Sequence, residues 1–304
     1  MAGWAKAASQ ARTVVKALQA QGELNSVRTA GNYQAALTTV AKWVKSEYRE
    51  GRGPGDLKSM TPADAVTYLE QRGQEVGQSQ LNMERQAVQM MMQRLTSQLP
   101  QGERLPVVKS ELAQALTSRA YTPWQIREIA AHQTPHNALA TEIAAAAGLR
   151  AHELLTLRPA HERPADPRPA RECKFAIREK RENSQRYTVV GKGGLCREVL
   201  LPERLADRLE ATRLTDPQRV TDRGVYYQSH YAIGGGNAWS ASFTRASGRA
   251  LSWSTGAHGL RHTYAQQRMS ELQLAAGLSY RDALAVVSQE LGHFRESITE
   301  VYLR

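Results

Sequence analysis

Cysteine is nearly absent from the chain. The two present in 304 residues, Cys173 and Cys196, are too few for a disulfide framework and show no CxxC spacing, so both are expected to be plain thiols of a reducing cytoplasm. Long apolar runs are missing too, and no stretch approaches the ~20 residues that a membrane-spanning helix needs. The start of the chain, Met1 to Leu24, is alanine-rich and sets Lys6, Arg12 and Lys16 on a helical pattern, without the unbroken apolar core of a secretion signal. Internal repeats are absent as well. Together these absences argue against a disulfide scaffold, a membrane protein and a secreted one, and predict a soluble cytoplasmic protein.

What is present is enough for a folded protein. The apolar fraction of 41% can furnish real cores, and 304 residues allow one large domain or two ordinary ones. Forty Lys and Arg stand against 29 Asp and Glu, a formal charge of +11, with a pI near 9.8. Such an excess suits a polyanion, whose counterions are released on binding. Composition alone leaves open a merely solubilising surface, so motifs must decide.

The first third reads as punctuated helices. One helix is expected from about Val27 to Tyr48, with Tyr33, Leu37, Val40, Trp43 and Val44 at helical spacing. Thr61-Pro62-Ala63-Asp64 then has the form of a capped start with proline at the first helical position, for a helix to about Arg72. A third is expected from Ser79 to Leu99, with Met83, Val88, Met91, Met92 and Leu95 as its packing side. Pro100 to Pro106 reads as a linker, and Thr122-Pro123-Trp124-Gln125 as another capped start. A helix over Leu139 to Ala147 should end at Gly148, and a further one should begin near Arg150 and stop at Pro159. Phe175 to Ile177, Arg186 to Val190 and Arg197 to Leu201 look like short strands, the last two joined through Gly191-Lys192-Gly193-Gly194. A helix over Leu205 to Leu214 and a glycine-rich loop at Gly234 to Gly236 follow, after which the chain is expected to be helical from about Leu260 onward.

Four short pieces carry chemistry. Gly148-Leu149-Arg150 is followed by Glu153, one turn on, which alone could be an ordinary salt pair. Lys192 sits at a hairpin tip between glycines, a place where most lysines are simply solvated. His258-Gly259-Leu260-Arg261-His262 is more specific, and Leu291-Gly292-His293 is followed, nine residues after its histidine, by Tyr302. The i, i+4 pair His258 and His262 could suggest zinc, but Gly259 stands where a zinc protease helix has its glutamate, and no third ligand is evident.

In this order and spacing the set resembles the tyrosine recombinases, the integrase family of phage integrases and chromosome-dimer resolvases. The motifs cover residues 122–304. The resemblance implies a mainly α fold with a small antiparallel β-sheet (α+β), with a helical, SAM-like core-binding domain over residues 1–105 and a catalytic domain over 106–304, clamped around duplex DNA. It implies a transesterification in which Tyr302 attacks a DNA phosphate, leaving a 3′-phosphotyrosyl link and a free 5′-hydroxyl. Arg150 and Arg261 would clamp the phosphate oxygens in the fork geometry that lysine lacks. His293 would donate a further hydrogen bond, His258 would act as base and Lys192 would protonate the leaving oxygen. Glu153 would orient Arg150, and His262 would cap or pack the site. No metal, ATP or other cofactor is implied. The partners implied are double-stranded DNA and three further copies, in a homo-tetramer on two DNA sites formed from free monomers, with accessory DNA-bending proteins and a place at the nucleoid.

The intervals from Arg150 to Lys192 and from Arg261 to His293 are longer than in compact family members, which suggests inserted loops or helices. An integrase of a mobile element fits better than a housekeeping resolvase. Two rivals remain: a type IB topoisomerase, and a DNA-binding protein with the same fold and no catalysis.

Overall fold

The computed structural model describes residues 4–113, 117–167, 184–293 and 295–304. Cys173 and the expected strand Phe175 to Ile177 lie outside the described residues. The chain divides into two compact units, Met1–Ala115 and Leu116–Arg304. Residues 106–113, which the sequence reading groups with the second domain, bond to the first unit: Gln78 donates to the Val108 carbonyl, and Glu111 N–H to the Gly73 carbonyl.

The first unit is helical, with α1 (Ala7–Ala20), α2 (Val27–Arg49), α3 (Pro62–Gly73) and α4 (Gln78–Met91). Local chemistry sets two of the starts. Ser26 accepts from Thr29 N–H at the head of α2, and Thr61 and Asp64 form a reciprocal capping box before Pro62 at the head of α3. The core joins Val14 and Leu18 of α1, Leu37, Val40 and Val44 of α2, Leu69 of α3 and Leu81, Val88 and Met91 of α4. Met83 and Leu95 of the expected stripe are only partly buried, and Met92 opens a widened π-helical turn over Met92–Thr96 instead of continuing α4 to Leu99. The side of α4 that faces inward also carries a fully buried carboxylate, Glu84. It accepts from Tyr68 Oη at 2.5 Å, Arg72 Nε at 3.1 Å and Gln80 Nε2 at 2.7 Å.

The second unit is α+β. Its helices are α5 (Pro123–Ala131), α6 (Pro135–Ala147), α7 (Glu203–Glu210), α8 (Gly236–Leu251), α9 (Gly259–Leu274), α10 (Tyr280–Glu290) and α11 (Glu296–Glu300). β1 (Arg158–Pro159), β2 (Ser184–Val190) and β3 (Cys196–Pro202) form one antiparallel sheet, with Tyr187 opposite Val199 and Val190 opposite Cys196. β4 (Arg213–Asp222) and β5 (Val225–Tyr231) form a separate antiparallel hairpin. One core gathers Ile129, Ile143, Leu154, Val189, Val199, Leu201, Trp239, Phe243 and Leu260, and a second, around Tyr264, Leu272, Val287 and Leu291, reaches Tyr302.

Three sequence expectations differ from this architecture. The helix expected from Arg150 to Pro159 is a single 3-10 turn at Glu153–Thr156, after which Arg158–Pro159 joins the sheet as an edge strand, where a proline costs no ladder hydrogen bond. The helix expected to Leu214 ends at Glu210, because Arg213 and Leu214 already belong to β4. The β4–β5 hairpin and α8 were not expected at all; α8 is rich in Gly, Asn, Ser and Thr, weak helix formers held in place here by burial of Trp239, Phe243 and Ala246. Among the described residues no helix is long and apolar enough to cross a membrane. Cys196 is a buried free thiol, its Sγ directed at the Pro164 carbonyl.

Candidate active site

The site is assembled around the ends of helices. Gly148 closes α6 with φ +59°, a conformation that L side chains resist, and a Cβ there would also strike the Tyr264 ring at 2.7 Å. The glycine therefore turns the chain into Arg150 and leaves its own carbonyl free at the negative end of α6. α10 ends the same way nearby, leaving the carbonyls of Glu290 and Leu291 before Gly292.

Arg261, in the first turn of α9, is fully buried between these two helix ends. Its Nη1 donates to the Gly148 carbonyl, and its Nη2 to the Leu291 carbonyl at 2.9 Å, with His293 Nε2 at 3.2 Å from the same nitrogen. Burial and the neighbouring Arg150 lower its pKa to about 10, which leaves it a cation at neutral pH. Its Nε has no hydrogen-bond partner among the described residues.

Glu153 is the counterion. Its carboxylate accepts from Arg150 Nη1 at 2.7 Å, from Arg150 backbone N–H at 2.8 Å and from Arg197 Nη2 at 2.7 Å, with Arg261 Nη1 at 3.8 Å. Burial would raise its pKa, but Arg197, Arg261 and Arg150 outweigh burial and hold it at about 2. Among the described residues one carboxylate thus faces three guanidinium groups, and the cluster keeps an excess of positive charge. Arg197 was not among the residues expected from sequence. It comes from β3, is buried, and also donates from Nη1 to the Glu290 carbonyl at 2.5 Å, tying the sheet to the end of α10. The signal was in the strand's period: Arg197 shares the phase of the core residues Val199 and Leu201, and an arginine on an inward face needs a partner.

Tyr302 closes the site from the last turn of the chain. Its hydroxyl lies 3.0 Å from His258 Nε2, and its ring packs among His258, His262 and His293 at centroid distances of 5.3, 4.7 and 5.2 Å, with the Arg261 guanidinium carbon 5.6 Å away. Gln266 of α9 holds this segment by donating to the carbonyls of Tyr302 at 3.2 Å and Arg304 at 3.0 Å. All three histidines are neutral at pH 7. Burial, then Arg261, brings His258 to about 4 and His293 to about 3, and burial, then Arg119, brings His262 to about 4. A neutral His258 can take a proton from the tyrosine hydroxyl. His262 is buried, and its Nδ1 has no partner among the described residues. His293 Nδ1 lies 2.8 Å from the Thr299 hydroxyl, itself 2.7 Å from the Ser288 hydroxyl, an arrangement that fixes the ring's orientation.

Seven of the eight residues expected from sequence therefore meet: Arg150, Glu153, His258, Arg261, His262, His293 and Tyr302. Lys192 is exposed on the β2–β3 connection and makes no hydrogen bond to the cluster, although Gly191 beside it borders the Arg150–Glu153 pair. His258 and His262 do not share a metal-binding group: among the described residues no three His, Cys, Asp or Glu side chains gather in a way that could hold an ion.

No protein-family profile and no curated protein matches the sequence. Solved structures do. The chain is similar to XerH site-specific recombinase bound to difH substrate in a pre-cleavage complex, with 16% identity, 98% of this chain and 81% of that chain covered, and a TM-score of 0.59. It is similar to a lambda integrase tetramer bound to a Holliday junction (15% identity, 97% and 76% covered, TM-score 0.57). The Tn1549 transposon integrase in complex with transposon right end DNA is a third (13% identity, 97% and 94% covered, TM-score 0.56). The chain has the α+β fold of these recombinases, the fold that the motif resemblance implied.

Proposed function

We propose that this chain, carrying the tyrosine-recombinase fold, is a site-specific DNA recombinase that cuts and rejoins strands through a covalent bond between Tyr302 and a 3′ phosphate. The observation that carries the reading is the 3.0 Å contact between the Tyr302 hydroxyl and a neutral His258, set beside a cluster of three arginines, two of them buried, around one buried carboxylate. A free phenol, with a pKa near ~10, is ionised in only about one molecule in a thousand at pH 7, so a base at this distance is what the attack needs.

In the reaction, the tyrosine oxygen bonds to phosphorus as its proton passes to His258. Arg150 and Arg261 hold the non-bridging oxygens and offset the charge that builds on them, with His293 donating a further hydrogen bond once its ring meets the phosphate. The bond from phosphorus to the 5′ oxygen breaks, and Lys192, brought in on its glycine-flanked tip, supplies the proton to that oxygen. Glu153 and Arg197 touch no reacting atom; they hold Arg150 in place. The phosphotyrosyl ester keeps the bond energy, so a 5′-hydroxyl can reseal it without metal or nucleotide. The first unit, as a helical DNA-binding domain, would complete a clamp on the duplex. The working assembly is a homo-tetramer on two DNA sites, formed from monomers with help from DNA-bending proteins. It would act on the DNA of a mobile element, in the cytoplasm and at the nucleoid.

The test is to incubate the protein with DNA spanning the ends of its own genetic neighbourhood, stop with SDS and look for a protein–DNA adduct. Wild type should give a 3′ adduct and Tyr302→Phe none. Adducts on any supercoiled DNA, formed by a monomer, would make it a topoisomerase. Binding without an adduct on any such DNA would make it a silent binder.

A further inference from the structure

We infer that the β4–β5 hairpin is a second DNA-contacting element, gripping the sugar-phosphate backbone beside the phosphate held by Arg150 and Arg261. The inference rests on the DNA reading above but draws on separate residues. Three observations carry it.

The first is attachment. The hairpin's tip is fastened to the start of α8, where Asp222 accepts from Asn237 N–H at 2.8 Å and Arg223 donates to the Asn237 side chain. That start is fastened in turn to the arginine turn, because Gly236 N–H donates to the Ala151 carbonyl at 2.7 Å. Tyr227 of β5 faces His152 with ring centroids 6.3 Å apart. The tip is therefore tied, through the start of α8, to the turn that carries Arg150, and a duplex seated on Arg150 would carry its neighbouring phosphates over the elements joined to that turn.

The second is an arginine in a place that resists one. Arg223 and Gly224 form the two-residue tip between Asp222 and Val225, with φ of +50° and +77°. Both central positions of such a turn favour Asn or Gly. A side chain held in this left-handed region is a reason to look for a role, and Arg223 is exposed there, its guanidinium bonded, among the described residues, only to the neutral amide oxygen of Asn237 and so still carrying a net charge.

The third is the exposed face beside it. Tyr226 is 63% exposed, Val225 is 41% exposed, and the Arg219 guanidinium lies 3.7 Å from the centroid of the Tyr226 ring. An arginine stacked on an open tyrosine offers a flat, cationic surface of the kind that packs on sugar and phosphate. Of the hairpin's own carboxylates, Asp222 accepts from Asn237 N–H and its charge offsets one of the two arginines, Arg219 and Arg223, and Asp216 lies back at the irregular pairing between Arg213 and Gln218. These are contacts that position the duplex and do not read its bases.

The experiment compares wild type, Arg223→Gly, Arg219→Gln and Tyr226→Ser for binding to a short duplex of arbitrary sequence, by fluorescence anisotropy across a NaCl series. Glycine suits the tip geometry, so Arg223→Gly should keep its melting temperature. Its plot of log affinity against log salt should flatten by about 0.9, with affinity roughly fivefold weaker at 0.15 M salt, as expected for one lost phosphate contact. Arg219→Gln should flatten similarly, and Tyr226→Ser should weaken binding with little change in slope. Wild-type slope and affinity in all three variants would overturn the inference. So would a loss confined to self-association in sedimentation, which would make the hairpin a protein-protein surface. If wild type neither binds duplex nor forms an adduct, the recombinase reading itself fails, which is a different result from wild type binding as expected while the variants bind equally well.

Discussion

Glu84 in the first unit and Glu153 in the second are both fully buried carboxylates, and they are built to different ends. Glu84 meets one arginine, one tyrosine hydroxyl and one amide. Burial, reinforced by Glu84, pushes the Tyr68 hydroxyl well above its usual range, so it remains a donor and the group of four is electrically even. Glu153 meets Arg150, Arg197 and Arg261, and a single negative charge cannot balance them. The first cluster is satisfied with what it has. The second is organised but short of anion, which is the state a phosphate-binding site must be in before its substrate arrives.

The comparison is broken most severely by Glu153→Gln, which takes the carboxylate from three guanidinium groups, two of them, Arg197 and Arg261, buried. It should cost roughly 3–5 kcal/mol of stability, whereas Glu84→Gln, which leaves the partly buried Arg72 still paired with Glu75, should cost about 1–3 kcal/mol. Urea denaturation followed by circular dichroism measures both. Added sulfate should restore more of the loss in the Glu153 variant than in the Glu84 variant; equal recovery would mean that the second cluster is as self-contained as the first. Arg197→Lys comes next. It keeps the charge but loses the fork that spans Glu153 and the Glu290 carbonyl, so adduct formation should slow by roughly 10²-fold, as misplacement of a positioned group does, with duplex affinity little changed. A parallel loss of affinity would make Arg197 a phosphate ligand instead of a positioning residue.

A smaller, pH-dependent difference should separate the units as well. The first unit contains no histidine. In the second, His262 and His293 are buried with pKa values of about 4 and about 3, below the ordinary 6.5. Their unfolded forms bind protons first as pH falls, so stability present above pH 6.5 is lost between about 6.5 and 4, by at most ~1.4 kcal/mol per pH unit for each. Thermal melts over that range should show the decline, and His293→Gln should flatten it.

Much of the cluster was legible because its residues are tied to local backbone signals. Gly148 announces the helix end that presents Arg150, and the residues from His258 to His262 sit on consecutive faces of one helical turn. Arg197 was not legible as a site residue, since its partners Glu153 and Glu290 are distant in sequence and only strand pairing brings them near. The hairpin and α8 escaped for another reason. The glycines at Gly234 to Gly236 read as loop, and what overrides them is tertiary: Trp239 and Phe243 packing into the core, and β5 against the turn at Glu153–Thr156.

The hydrogen bonds from Gln266 to the carbonyls of Tyr302 and Arg304 return the end of the described chain to its own helix. Every member of the cluster is thus contributed by one polypeptide. In the language of genetics, the reading of Tyr302 as nucleophile therefore predicts that a copy lacking its tyrosine and a copy lacking its arginines would not complement each other.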